Sequence, residues 1–181
     1  NPRQRGAAFG DILADSLLPF QADSLLGFDA RSNGPIYSIC PDTLDHLIIV
    51  GGDFSSIGGS IDFDYHFNLT ELHPSSGDFV GILSVPWTAI PNVNGPIRTI
   101  CVFGNYVYVG GDFTAFGTLQ RKGLARLALS NGNVTSMNAG LDGTVHDMEM
   151  IGTRIYFGGN FSIVATRSRH NLACVDTNLN V

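Results

Sequence analysis

The feature that most restricts what this chain can become is a short device that occurs three times. An apolar run stops at two glycines, and an acid or amide and a phenylalanine follow. The copies are Leu47-Ile48-Ile49-Val50-Gly51-Gly52-Asp53-Phe54, Tyr106-Val107-Tyr108-Val109-Gly110-Gly111-Asp112-Phe113 and Ile155-Tyr156-Phe157-Gly158-Gly159-Asn160-Phe161. Three copies in one chain mean a repeat architecture, in which each unit buries its apolar face against the next.

With the first glycine of each pair as a mark, the copies lie 59 and then 48 residues apart. A shorter strand opened by a turn precedes each one: Gly34-Pro35-Ile36, Gly95-Pro96-Ile97 and Gly143-Thr144-Val145. Ile97 to Gly110 and Val145 to Gly158 are both 13 residues, while Ile36 to Gly51 is 15. The turn between these two strands holds Gly104-Asn105 in the second copy and Gly152-Thr153 in the third. A glycine there suits a turn needing φ > 0. A third strand follows as Leu69-Thr70-Glu71-Leu72, Leu124-Ala125-Arg126-Leu127 and Leu172-Ala173-Cys174-Val175. After the turns Ser75-Ser76-Gly77 and Ser130-Asn131-Gly132, weaker fourth strands are expected at Phe79–Leu83 and Val134–Met137.

The unit is therefore predicted to be a four-stranded antiparallel up-and-down sheet, because each connection is too short for a crossover. Its second strand is apolar on both faces, whereas a sheet with one wet face would alternate. Such sheets at this period fit β-propeller blades stacked between neighbours. A β-sandwich is the alternative, but it leaves the equal spacings unexplained. The expected organisation is all-β: 1–33 as the last two strands of a preceding blade, with Gly6–Phe9 and Ser16–Phe20 as those strands. Then come 34–94 as the first full repeat with an insertion, 95–142 as the second, and 143–181 as an incomplete third. So few blades do not close a ring, since propellers typically have ~4–8. The expectation is a segment of a longer array, or a propeller that further blades or other chains complete.

Charge narrows the function classes. The net charge is −6 with a single lysine, Lys122, which argues against nucleic acid, whose phosphates need Lys and Arg. No apolar run approaches the ~18–20 residues of a membrane helix, so no membrane insertion is expected. No signal peptide is visible and the chain does not begin with Met, which suggests a mature or trimmed product. The three cysteines have no Cys-x-x-Cys spacing. They read as small buried hydrophobes, with a disulfide as the alternative.

Gly-Pro-Ile-x-x-Ile, then Tyr-Val-x-Val-Gly-Gly-Asp-Phe-Thr, then Gly-Leu-Ala-Arg-Leu resembles the delta-60 type of β-propeller repeat. It is also similar to the repeats of fungal cortical polarity markers of the Rax2 type. The likeness covers nearly the whole chain. Kelch repeats share the glycine pair, but this chain has one tryptophan, Trp87, and no repeated Tyr–Trp pair. The resemblance implies scaffolds and interaction platforms in secreted or surface proteins, with no catalytic residues and no cofactor.

Four groups of residues carry the candidate chemistry. Asp147 and Glu149 lie two apart on the first strand of the third copy, hence on one face. There the other copies have Ser38/Cys40 and Thr99/Cys101. Paired carboxylates can serve as acid and base or hold a cation; they can also be hydrated surface acids. Asp62, Asp64, Tyr65 and His66 occupy the insertion of the first copy. They read as a partner-binding loop, as oxygen and nitrogen metal ligands, or as a plain loop. The corners Asp53, Asp112 and Asn160 resemble phosphate cradles, but no helix N-terminus follows them. They are expected instead to accept turn N–H groups, with Phe54, Phe113 and Phe161 filling the gap between blades. Arg121 is expected either to pair with Asp112 or to stand solvated, and Arg169 and His66 occupy the same place in their copies. Asn68, Asn133 and Asn160 open glycosylation patterns, of which Asn160, in the packed corner, is expected to be accidental.

The leading functional expectation is a non-catalytic extracellular or surface scaffold that binds protein or glycan. A carbohydrate-acting propeller enzyme using Asp147 and Glu149 is the second. A structural or receptor-binding part of a phage or other extracellular assembly is the third.

Overall fold

A computed structural model describes residues 28–42, 46–58, 67–78, 92–178 and 180. The described residues are all-β, with no helix. The first unit is β1 (Ile36–Asp42), β2 (Leu47–Gly52) and β3 (Leu69–Leu72). The second is β4 (Ile97–Phe103), β5 (Tyr106–Gly111) and β8 (Leu124–Ala128), with a two-stranded ribbon of β6 (Ala115–Phe116) and β7 (Leu119–Gln120) set into it. The third repeats this as β9 (Thr144–Ile151), β10 (Arg154–Asn160) and β13 (Leu172–Asp176), with β11 (Ile163–Val164) and β12 (Arg167–Ser168) as its ribbon.

Each sheet is antiparallel, with the glycine-ended strand in the middle. Gly51 stands opposite Leu69, Gly110 opposite Leu124 and Gly158 opposite Leu172, so the three copies are in one register. The turn glycines Gly104 and Gly152 have φ of 56° and 61°, as expected of hairpin turns. Every first strand carries a bulge near its start, which sets Tyr37, Arg98 and His146 out of the ladder at equivalent places. The bulge brings Pro35, Pro96 and Thr144 carbonyls against the second glycine. A Cβ there would lie 2.2, 2.1 and 2.1 Å from those oxygens at Gly52, Gly111 and Gly159, respectively.

The expected fourth strand is not formed where it can be seen. In the second copy only Val134 bridges, to Leu127. Gly132 closes a tight turn onto the Ala128 carbonyl, Thr135 N–H reaches Arg126 O, and the chain then departs. The segment has too few apolar residues to continue a ladder: Val134 and Met137 pack on the cores, and Ser136 and Asn138 face solvent. Among the described residues the three main sheets therefore show three strands each rather than four. The expected strands at Gly6–Phe9, Ser16–Phe20 and Phe79–Leu83 lie outside the described residues.

The sheets stack by their first strands. β1 lies against β4 and β4 against β9, whereas the third strands make no comparable contact, so the sheets fan outward. One core joins the first and second sheets through Ile49 and Leu69 on one side and Ile97, Ile100, Val107 and Val109 on the other. A second core joins Tyr108 and Leu124 to Val145, Met148, Ile155 and Phe157. Both joints use the same hydrogen bond. Ile100 N–H donates to Ser38 Oγ at 3.0 Å, and Met148 N–H donates to the Thr99 hydroxyl at 3.3 Å. Phe113 is buried in the first of these cores, edge-on to Phe116 with centroids 4.9 Å apart, and Phe161 is buried in the second.

Candidate functional site

The first strands converge, so their bulge residues form a row: Tyr37, Arg98 and His146. Arg98 binds Asp112 through both Nε, at 2.7 Å, and its terminal Nη2, and its guanidinium lies 5.5 Å from the Tyr37 ring centroid. The corner acid Asp112 is thus an Arg98 partner. Arg121 does not reach it. Its guanidinium instead donates to Gln120 O at 2.7 Å and to Thr135 O at 2.9 Å, pinning the departing chain. Arg169 is exposed and bonds to its neighbour Ser168 O. His66 lies outside the described residues.

The turn N–H groups expected at the corner acids go elsewhere. Asn33 Oδ1 accepts Ser55 and Ser56 N–H, Asn94 Oδ1 accepts Thr114 and Ala115 N–H, and Asp142 Oδ1 accepts Ser162 and Ile163 N–H. These three residues each precede the glycine that opens the first strand. The recurring Asn-Gly or Asp-Gly pair at the opening of each first strand was the signal for them. The two backbone hydrogen bonds hold the Asp142 carboxyl below the usual aspartate range, since they favour the charged form.

Asp147 and Glu149 share one face of β9, opposite Gly158 and Tyr156 of β10. Both are exposed, and Asp147 Oδ1 accepts Met148 N–H at 2.9 Å. Two hollows open nearby on the third unit, and neither acid lines them. One, of about 470 Å³, lies between Met137, Ala165, Arg167 and Asn178. The other, of about 380 Å³, lies over Tyr156, Leu172, Ala173 and Cys174. No three His, Cys, Asp or Glu side chains come together as a metal site among the described residues. The insertion residues Asp62, Asp64, Tyr65 and His66 lie outside them.

Two sequence patterns take on other roles. Asn68 is a buried residue at φ 67°, where Asn is tolerated better than most side chains. Its Oδ1 accepts Phe54 N–H and its amide donates to Val93 O, so the glycosylation pattern there falls on an engaged side chain. Gly123 and Asn171 fill the same place with φ of 71° and 65°. Asn160, placed in a packed corner on sequence grounds, is exposed, as is the equivalent Asp53; Asn133 is exposed too.

Arg126 escaped the sequence reading. It is buried on β8, 4.1 Å from the Tyr106 ring centroid, and donates to Thr177 O at 2.8 Å and to the Thr135 hydroxyl at 3.2 Å. Tyr108 Oη donates to the same Thr177 carbonyl at 2.9 Å. A charged residue in the middle of an apolar third strand was the available sign. Cys40, Cys101 and Cys174 are free and half-buried. Burial, then the neighbouring Cys40 and Glu149, pushes the Cys101 thiol up to about 12, leaving it an unreactive packing group.

The described surface thus carries a cationic–aromatic pair at the bulges, two acids on an exposed sheet face, and a hollow over Tyr156 and Leu172. No family model and no curated protein matches the chain. Among solved structures it is similar to the computationally designed Ika4 protein, at 8% identity and a TM-score of 0.42, covering 83% of this chain and 96% of that one.

Proposed function

We propose that this chain is a run of β-propeller blades of the delta-60 type. In this role it is a non-catalytic scaffold, outside the cell or on its surface, that recognises protein or glycan partners. The observation that carries the proposal is the joint repeated between successive sheets. Its hydroxyl-to-backbone hydrogen bond and its glycine facing the next first strand recur at the same register positions. Sheets that touch at their first strands and splay at their third make a fan, and a fan of antiparallel sheets about one axis is how propellers are built. The repeated residues serve the packing, which leaves the bulge row and the insertion loop free to vary for binding.

The test is binding against catalysis in one protein. The chain is screened against a glycan array and against displayed extracellular proteins. In parallel, Asp147→Asn with Glu149→Gln is assayed for glycoside hydrolysis. Binding that survives the double change supports the scaffold. A hydrolytic activity of the parent chain that disappears in the folded double variant would replace it with the carbohydrate-acting enzyme.

A further inference from the structure

The hollow of about 470 Å³ at the joint of the second and third sheets has three walls. Ser136, Met137 and Asn138, on the chain that leaves the second sheet, make the first. Ala165 and Arg167, at the turn of the β11–β12 ribbon, make the second, and Asn178 and Asn180, in the turn after β13, make the third. The volume lies within the ~300–1,000 Å³ usual for small-molecule sites.

Each wall is fastened from behind. Arg121 donates to Thr135 O at 2.9 Å and Arg126 to the Thr135 hydroxyl at 3.2 Å, which fixes the residue next to Ser136. Arg126 also donates to Thr177 O at 2.8 Å, beside Asn178, and Tyr108 Oη donates to the same oxygen. One buried guanidinium thus ties the first wall to the third. The Asp176 carboxylate accepts the Asn178 and Asn180 backbone N–H groups and the Asn180 side-chain amide, which closes the third wall's turn. In the second wall Ala165 N–H donates to Ala139 O, and Ala165 and Thr166 hold φ of 47° and 70°. Side chains rarely adopt this conformation, and it persists where the surroundings over-determine it.

The groups that face the hollow are mostly unspent. The Arg167 guanidinium has no hydrogen-bond or ion-pair partner among the described residues. Asn138 Oδ1 accepts Gly140 N–H at 3.0 Å, which leaves its NH2 group to donate. The Asn178 side-chain amide is unpaired among the described residues. No Asp or Glu lines the hollow among these residues. Arg121 and Arg126 behind it are buried, and neither meets a carboxylate. Asp176 offsets one of the three positive charges, and its oxygens are already taken up by three N–H groups. In a chain of net charge −6, this is a local positive field, strengthened by the burial of two of its sources.

We infer that this hollow binds an acidic saccharide. Arg167 pairs with the sugar carboxylate, which the planar guanidinium fork matches. The Asn138 and Asn178 amides and the Ser136 hydroxyl bond the sugar hydroxyls, and Met137 and Ala165 meet its C–H surface. One free guanidinium among several amides and a hydroxyl matches a carboxylate set among hydroxyls. The inference rests on the reading of the chain as a recognition scaffold and narrows its partner to one chemistry at one place.

Isothermal titration calorimetry of the whole chain at low salt tests it. The probes are sialyllactose beside lactose, trigalacturonate beside its carboxyl-reduced form, sodium sulfate, and tetraglutamate. At least one acidic saccharide should bind, and its neutral counterpart, sulfate and tetraglutamate should bind far more weakly. Arg167→Gln should keep the parent's melting curve, because the residue is exposed. It should weaken the acidic saccharide by roughly tenfold, the loss of one charge-assisted contact. Asp147→Asn, which does not line the hollow, should bind like the parent. The inference is overturned if neither acidic saccharide binds, if the neutral counterpart binds equally, or if folded Arg167→Gln binds like the parent. Sulfate as tight as the saccharide, meaning an anion site only, or tetraglutamate as tight, meaning a peptide site, overturns it too. Binding of a neutral glycan or a protein that ignores Arg167→Gln would leave the scaffold proposal standing while this one fell.

Discussion

A methyl group added at Gly110 and at Gly158 should have opposite consequences, although the two residues occupy the same place in their motifs. At Gly110 the new Cβ would sit 2.7 Å from both Thr99 Cγ2 and Val145 Cγ1. Carbon atoms are at ease near ~3.5–4.0 Å, so the shortfall is about 1 Å against two methyls. Both belong to β-branched side chains that are stiff at χ1. The second and third sheets would have to part, and overpacking of this kind costs about 1–3 kcal/mol. At Gly158 the nearest atom outside its chain neighbours is a carbonyl at 3.6 Å, an ordinary contact. Neither glycine has the positive φ that would add backbone strain. The loss of unfolded-chain freedom, worth about 0.4–1 kcal/mol in favour of alanine, is common to both and cancels in the comparison. Gly110→Ala should therefore be less stable than Gly158→Ala by about 1–3 kcal/mol, or about 2–12 °C in melting temperature for a chain of this size. Thermal melts followed by circular dichroism, on dilute protein so that association does not contribute, measure this. Equal melting temperatures, or a larger loss at Gly158, would refute the account of the glycine as the seat of the next sheet.

Two further outcomes are expected. Phe113→Ala should cost roughly 3–5 kcal/mol, as for other buried phenylalanines, because the ring is 1% exposed within the core shared by the first two sheets. A urea unfolding midpoint unchanged within error would show that the ring is not part of that joint. Asp142 has a folded pKa below its unfolded value of ~3.9. Its contribution is therefore complete above that value and is lost as pH falls through the folded pKa. Asp142→Asn keeps the acceptor, as Asn33 and Asn94 do, and should flatten the acid-side fall of the melting temperature. An acid limb identical to that of the parent chain would contradict this.

The order and register of the strands were legible in the chain. Equal spacing from Ile97 to Gly110 and from Val145 to Gly158 could be read directly, because a strand–turn–strand unit of fixed length leaves no freedom in pairing. The turn glycines Gly104 and Gly152 were equally plain, since their φ is a local requirement. The ribbons β6–β7 and β11–β12 were not, because two-residue strands carry no periodicity. The fourth strand was over-read at Val134–Met137, where a few apolar residues served the cores and not a ladder.

The candidate residues divide along the same line. Asp147 and Glu149 could be placed on one face from their spacing alone, and the fold keeps them there. Their exposure, and the resemblance of Asp147 to Ser38 and Thr99 as acceptors, depended on which sheet has a neighbour. Arg121 and Asp112 looked like partners because both stand near the corner in sequence. Strand bulging turned Arg98 toward Asp112 instead, and a bulge redirects a side chain in a way that residue spacing does not reveal. By itself the sequence determined the repeat and the strand pairing, both of which depend on neighbours along the chain, whereas the motif glycines it read as turns lie within the strands and face the next sheet. Only the tertiary structure decided which copies of each motif are covered. Tyr108 and Tyr156 are the same residue in the same motif, and whether either is buried depends on the presence of a next sheet, which lies outside the motif.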